Sequence, residues 1–162
     1  MGSAALEPSR RFAQSWFPHH VSRKVKTMNQ NIKLQHLFSG LRAVIVGGDP
    51  QPAQVQRIQT SLSFDEVIHC TTRKSDASSR AFERALLSGD IVLAVWLWGV
   101  SRTSHGERFR EICRSIDLPW IEVRHMPHPR KLAALVESLG LRPKLLRRRD
   151  VLLSDSNGGQ AR

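Results

Sequence analysis

Hydrophobic residues in this chain fall into two recurring patterns: short unbroken apolar runs, and apolar residues three or four positions apart. The runs AVIV at 43–46 and IVLAVWLW at 91–98 have no polar alternation, as expected of strands buried on both faces of a parallel sheet. FDEVIHC at 64–70 and WIEV at 120–123 read as shorter strands. Helical spacing fills the intervals, with Val55, Ile58 and Leu62 in one helix and Phe82, Ala85 and Leu86 in a second. A third carries Phe109, Ile112, Cys113 and Ile116, and residues 130–139 form a fourth through Leu132, Leu135, Val136 and Leu139. Pro52 suits the first turn of the first helix, Ser88-Gly89 closes the second, and the loop GVSRTSHG opens the third.

Strands that alternate with helices through short connections pair in parallel, with right-handed crossovers. The predicted fold is therefore α/β: a three-layer doubly wound parallel sheet of about four strands in the order 2-1-3-4, Rossmann-like or flavodoxin-like. In strand 3, Leu93, Val95 and Leu97 would share one face, and Trp96 and Trp98 the other. Ligands of such sheets sit outside the carboxyl ends of the strands, where the order switches between strands 1 and 3.

That edge collects the candidate binding residues. Gly47, Gly48 and Asp49 follow strand 1, His69 ends strand 2 ahead of Arg73 and Lys74, Ser101 and Arg102 follow strand 3, and Arg124 follows strand 4. A strand, a glycine turn and a helix start bring free N–H groups and the helix dipole together on an anion. Donors and cations face a single acid there, Asp49, an imbalance that fits a phosphate-bearing small ligand. GGDPQP lacks the third glycine of a dinucleotide fingerprint and the Gly-Lys-Ser/Thr ending of a P-loop, so a tight connection without a ligand is the competing reading. Trp98 also has two readings, a core residue or a stacking face for a base, and core packing, as for most strand tryptophans, is favoured.

These motifs in sequence resemble the DUF2325 family of bacterial proteins: VIVGGD, a strand ending in His69 and followed by Arg73-Lys74-Ser75, an apolar strand leading to Val100-Ser101, then a helix and a strand ending at Arg124. The resemblance covers roughly residues 42–139. It implies a small Rossmann-like or flavodoxin-like domain and no settled activity. By position, Gly47, Gly48 and Asp49 match the family's glycine turn, and His69, Arg73 and Lys74 its basic loop. Many members carry Val-Ser-His after the third strand, whereas this chain reads Val100-Ser101-Arg102-Thr103-Ser104-His105.

Composition moves attention outside the domain. The 162 residues carry a net charge of +11, unevenly placed. Lys and Arg number 6 against 1 acid in residues 1–40, 13 against 11 in 41–140 and 6 against 2 in 141–162. The expected organisation is a basic, partly disordered N-terminal arm (1–40), the α/β domain (41–140), and a basic tail (141–162) that is disordered from Ser154. Arg23, Lys24 and Lys26 in one arm, with Lys144, Arg147, Arg148 and Arg149 in the other, are the candidate contacts to nucleic acid. Residues 1–27 could also imitate a transit peptide, although a basic arm is the simpler reading, and Met28 is a second possible start. Two cysteines make no disulfide framework and no apolar run is long enough to span a membrane, so a cytoplasmic protein is expected. Strand 3 has more apolar surface than a small sheet easily covers and strand 4 is an open edge, which suggests a homodimer.

Chemistry is less well supported. A receiver-type phosphoacceptor needs an aspartate at the end of strand 3, where this chain has Trp96-Leu97-Trp98-Gly99. Cys70 or Ser104 could pair with His69 or His105 as nucleophile and base, but no third group orients them. His105, His125 and His128 on neighbouring loops are weak zinc candidates. His69 and Cys70 lie about 14 Å from strand 4 across three strand spacings, too far to share an ion with them. The sequence thus reads as a non-catalytic binding or regulatory module with no expected cofactor, engaging nucleic acid through its arms. A nucleotide or phosphate sensor is the alternative, followed by an enzyme or a metal-binding protein.

Overall fold

The computed structural model describes residues 34–72, 76–101 and 103–158. Strands β1 (Arg42–Val46), β2 (Glu66–Cys70), β3 (Ile91–Leu97) and β4 (Trp120–Val123) form an all-parallel sheet in the order β2-β1-β3-β4. Helical residues 34–38, here α1, precede β1. The crossovers are α2 (Pro52–Leu62), α3 (Asp76–Leu86) and α4 (Thr103–Ser115), and α5 (Pro129–Ser138) and α6 (Arg142–Gly158) follow the sheet. The α/β class and strand order read from the sequence are those the chain adopts.

β3 organises the packing. All seven of its residues are buried, none more than 2% exposed. Leu93, Val95 and Leu97 join Ala43, Ile45, Val67 and Ile121 beneath Leu37 and Phe38 of α1, Ile58 and Leu62 of α2, and Leu132 and Val136 of α5. On the other face Ala94 and Trp96 meet Val44, Val46, Phe82 and Leu86 of α3, and Phe109, Ile112 and Cys113 of α4. The Trp96 ring lies 5.3 Å from Phe109 and 6.5 Å from Phe82, between centroids. Gly106 lets α4 approach, since a Cβ there would stand 3.3 Å from the Trp96 ring. A register shift where β3 leaves Arg42 for Ala43 puts Val92 beside Leu93 in the first layer rather than the second.

Four expectations change. Residues 34–40 of the expected arm contribute to the core: Leu34, Leu37 and Phe38 are buried, and Phe38 stacks on Phe64 at 4.4 Å. Their spacing is that of a helix burying one face, which a reading by charge alone passes over. The C-terminal segment is not a tail, because α6 runs through Gly158, past Ser154. Leu145 is fully buried, Leu141 and Leu152 pack on the same cluster, and Arg148 donates from Nε to Ile91 O (2.5 Å) and from Nη1 to Ile116 O (3.0 Å). Trp98 leaves the strand in a 3-10 turn (Trp98–Val100) and is 52% exposed, so it is not a core residue. Finally, β3 is covered within one chain, which removes one argument for a dimer, although β4 is still an edge strand.

The docking of α6 sets an expected outcome. Leu145→Ala should lower stability by about 2–5 kcal/mol in urea denaturation, the usual cost of a cavity at a closed core site. Leu153→Ala on the same helix, 37% exposed, should change it by less than about 0.5 kcal/mol. Equal effects would mean that α6 is not held by Leu145.

Candidate functional site

At the carboxyl end of β1 the chain turns through Gly47 (φ 118°) and Gly48 (φ 71°), backbone conformations that disfavour any side chain. Two hydrogen bonds fix the turn. Gly47 N–H donates to Cys70 O at 2.8 Å, and the Nε2–H of His69 donates to Gly47 O at 2.7 Å, since the carbonyl can only accept. His69, named as a ligand donor, therefore braces the turn with this nitrogen.

The chain itself fills the space that the glycines leave. A Cβ on Gly47 would stand 2.0 Å from Ser101 Oγ and 3.0 Å from Leu97 Cβ, and one on Gly48 would stand 3.0 Å from Val100 Cγ2. The segment after β3 closes on the turn after β1. Thr72, a buried polar residue, donates its hydroxyl to Ser101 Oγ at 3.2 Å and ties the end of β2 into the same contact. Sequence reasoning passes over Thr72, whose one signal is its place just past the strand. Asp49 is exposed beyond the turn. Helix α2 then starts with Pro52 in its first turn and no side-chain cap at Gln51.

Beside this closed junction, the ends of β3 and β4 are locked together. Gly99 N–H donates to Arg124 O at 3.0 Å, and a Cβ on Gly99 would stand 2.4 Å from that oxygen. The Arg124 guanidinium lies 5.9 Å from the centre of the exposed Trp98 ring. Of the residues assigned to this edge, Gly47, Gly48, Ser101 and His69 are joined by packing and hydrogen bonds, while Arg124 stands with Trp98. Arg73, Lys74 and Arg102 lie outside the described residues, as do Arg23, Lys24 and Lys26 of the N-terminal arm.

The candidate nucleophile and metal groups do not assemble. Burial pushes the Cys70 thiol up to about 11 and Cys113 up to about 12, so both are protonated at neutral pH. His69 and Cys70 are neighbours on one strand, and their side chains point to opposite faces. His105 lies within α4 rather than on a loop; its ring stands 6.0 Å from Phe82, and its buried Nδ1 has no hydrogen-bond partner among the described residues. His125 is exposed, and His128 caps α5 by accepting from Arg130 N–H at 3.3 Å. Among the described residues no three His, Cys, Asp or Glu side chains come together to hold a metal.

The cations of α6 occupy the opposite end of the sheet. Arg148 is anchored on Ile91, the first residue of β3, and burial pushes its guanidinium below the usual value. Lys144 Nζ stands 3.7 Å from Asp117 Oδ1. With Arg147, Arg148 and Val151 these two line a cleft of about 180 Å³. Arg147 is exposed and makes no ion pair among the described residues, whereas Arg149 is half-buried. The length of β3 separates this cluster from Trp98 by on the order of 20 Å. No described helix is long and apolar enough to cross a membrane. Set beside known proteins, the chain matches no family model, and no curated protein or solved structure is significantly similar to it.

Two measurements check this geometry. Gly47→Ala and Gly89→Ala both place a side chain at positive φ, at about 1–2 kcal/mol, but Gly89 has nothing within 4 Å of an added Cβ. Gly47→Ala should cost at least about 1 kcal/mol more, from crowding against Leu97 and Ser101; equal costs would show that this contact yields freely. The thiols give a pH dependence. Both are raised in the folded state, so their contribution to stability is complete below an ordinary thiol value of 9.0 and declines as pH rises toward about 11 and about 12. A Cys70→Ala, Cys113→Ala variant should lose stability less steeply above pH 9.0, and an unchanged slope would contradict the burial of these groups.

Proposed function

We propose that the chain is a non-catalytic binding module for nucleic acid, which it holds by the phosphate backbone with basic segments flanking a charge-balanced domain. One observation carries this reading: excess positive charge is segregated from the core, and part of it is fixed on a docked helix. Within residues 41–140, where 13 cations meet 11 acids, three arginines are held in local ion pairs. Arg42 bridges Glu66 and Asp90, Arg108 bridges Glu83 and Glu111, and Arg110 holds Glu122. Residues 141–162 carry 6 cations against 2 acids, and α6 presents Lys144 and Arg147 at the surface. A helix held by Leu145 and Arg148 offers these charges in a fixed arrangement, which lowers the ordering cost of binding. The N-terminal residues, with 6 cations against 1 acid, would add to the same attraction.

A phosphate-bearing ligand at the glycine turn is the weaker reading, because Ser101 and Val100 already occupy the space that the glycines open. The motif order resembling the DUF2325 family bears on the fold and adds no activity. Two free, buried cysteines fit a reducing cytoplasm, and a homodimer would form along the open edge of β4.

The test is the salt dependence of binding. A labelled oligonucleotide should bind at low salt, with log K falling linearly in log salt. Lys144→Ala with Arg147→Ala should flatten that slope by about 1–2 and weaken binding to all sequences alike, because each lost phosphate contact removes about 0.9. A slope unaffected by these changes and by deletion of residues 1–27 would refute the reading.

A further inference from the structure

Tryptophan is seldom left half in water, because its ring is a large apolar surface. Of the three described tryptophans, Trp96 is 2% exposed and Trp120 packs against the second core layer, but Trp98 is 52% exposed. Its position is not slack. The 3-10 turn that carries it begins at the end of the most deeply buried strand, and the next residue, Gly99, is bonded to Arg124 O and too close to it to admit a Cβ. The same Arg124 sets its guanidinium 5.9 Å from the ring centre, within cation–π range. One guanidinium can cover only one face of a ring, so part of an aromatic surface, carried on a backbone turn bonded to Arg124 O and lying beside a positive charge, stays open to water.

We infer that Trp98, with Arg124 beside it, is a stacking platform for a nucleobase, and that it gives the chain a preference for single-stranded over duplex nucleic acid. The inference rests on the nucleic-acid reading above and adds what that reading lacks, a contact to the base. The charge argues for the occupant: a base carries a π face for the indole and a phosphate within reach of a cation, and the whole chain carries +11. In a duplex that face is stacked inside and unavailable, whereas in a single strand it is free. The platform lies at the carboxyl end of β3 and the α6 cations at its amino end, so one extended strand could meet both. At about 3.4 Å per stacked nucleotide, bridging them takes roughly six nucleotides.

The experiment compares wild type, Trp98→Ala, Trp98→Phe, and Lys144→Ala with Arg147→Ala by fluorescence anisotropy. The probes are a single-stranded 12-mer, its duplex, an abasic 12-mer and free mononucleotides. Trp98→Ala should weaken the single-stranded 12-mer about five- to a hundred-fold, leave the duplex and abasic probes unchanged, and leave the melting temperature nearly unchanged. Trp98→Phe should recover part of the loss, and the α6 variant should weaken every oligonucleotide. If mononucleotides bind with the same dependence on Trp98, the platform serves a free nucleotide as well as a strand. If no oligonucleotide binds, the nucleic-acid reading fails on its own. Mononucleotide quenching of intrinsic fluorescence, present in wild type and reduced in Trp98→Phe, would then still support stacking, and its absence would overturn it. Single-stranded and duplex affinities that fall together, or that stay unchanged while light scattering shows a lower oligomeric mass in Trp98→Ala, would overturn the inference and assign the ring to folding or to a subunit contact.

Discussion

Seven consecutive residues with no polar alternation cannot be hidden by one layer of helices, because successive side chains of a strand point to opposite faces. The complete burial of Ile91–Leu97 therefore requires two layers, and the rest of the chain meets that requirement. α2 and α5 cover one face and α3 and α4 the other, with Trp96 filling the second layer between Phe82 and Phe109. The four crossover and flanking helices leave the amino end of the first layer to be closed from outside the βα repeat. Leu34, Leu37 and Phe38 of α1 and Leu145 of α6 do so, which is why segments that look like charged arms are ordered.

The same burial decides what happens at the carboxyl edge. A strand that leaves the interior must satisfy its backbone at once; after β3 Gly99 N–H does so on Arg124 O, and Val100 and Ser101 pack against the glycine turn. Positive φ at Gly47 and Gly48 bends the chain after β1 closely enough for Ser101 and Val100 to pack there, with His69 and Thr72 bonding the junction. A switch-point crevice is thereby closed by its own loops. Trp98 opens the same 3-10 turn that brings Val100 over Gly48, and its ring is left half exposed.

How far this was legible follows from where each signal lies. Apolar runs are self-sufficient, and so the strands and their order could be read from sequence, with β3 overrun only by Trp98. The amphipathic spacing of α2 to α5 was equally plain. α1 carries no charged residue and was absorbed into a segment judged by the charge of its neighbours, while in α6 apolar positions occur on two sides, Leu145 and Leu152 toward the core and Leu146 and Leu153 toward water, so no single stripe appears. The glycine turn was visible as a backbone requirement and the strand order put Ser101 on the same edge, but that Ser101 and Val100 fill the space the glycines leave depends on loop geometry that one sequence does not specify. Strands 3 and 4 were expected to end side by side, but the pairing of Arg124 with Trp98 was hidden because Trp98 was read as continuing the buried strand, whereas it leaves it in a 3-10 turn.

The separation of chemistry along β3 also limits the kind of molecule this architecture suits. Arg148 ties α6 to Ile91 at one end of the strand, and Trp98 follows Leu97 at the other. Between them the sheet is sealed by the apolar faces of the helices, so no small ligand can touch both. Among the described residues, a compact anion would meet either the α6 cations, without an aromatic surface, or Trp98 with Arg124 beside it. On the proposed reading an extended polyanion would gain from both, and the gain would multiply because binding at one end raises the effective concentration of the chain at the other. Rigidity is essential to that gain: a loose α6 would lose conformational entropy on binding, whereas a helix pinned by Leu145 and Arg148 has already lost it in folding.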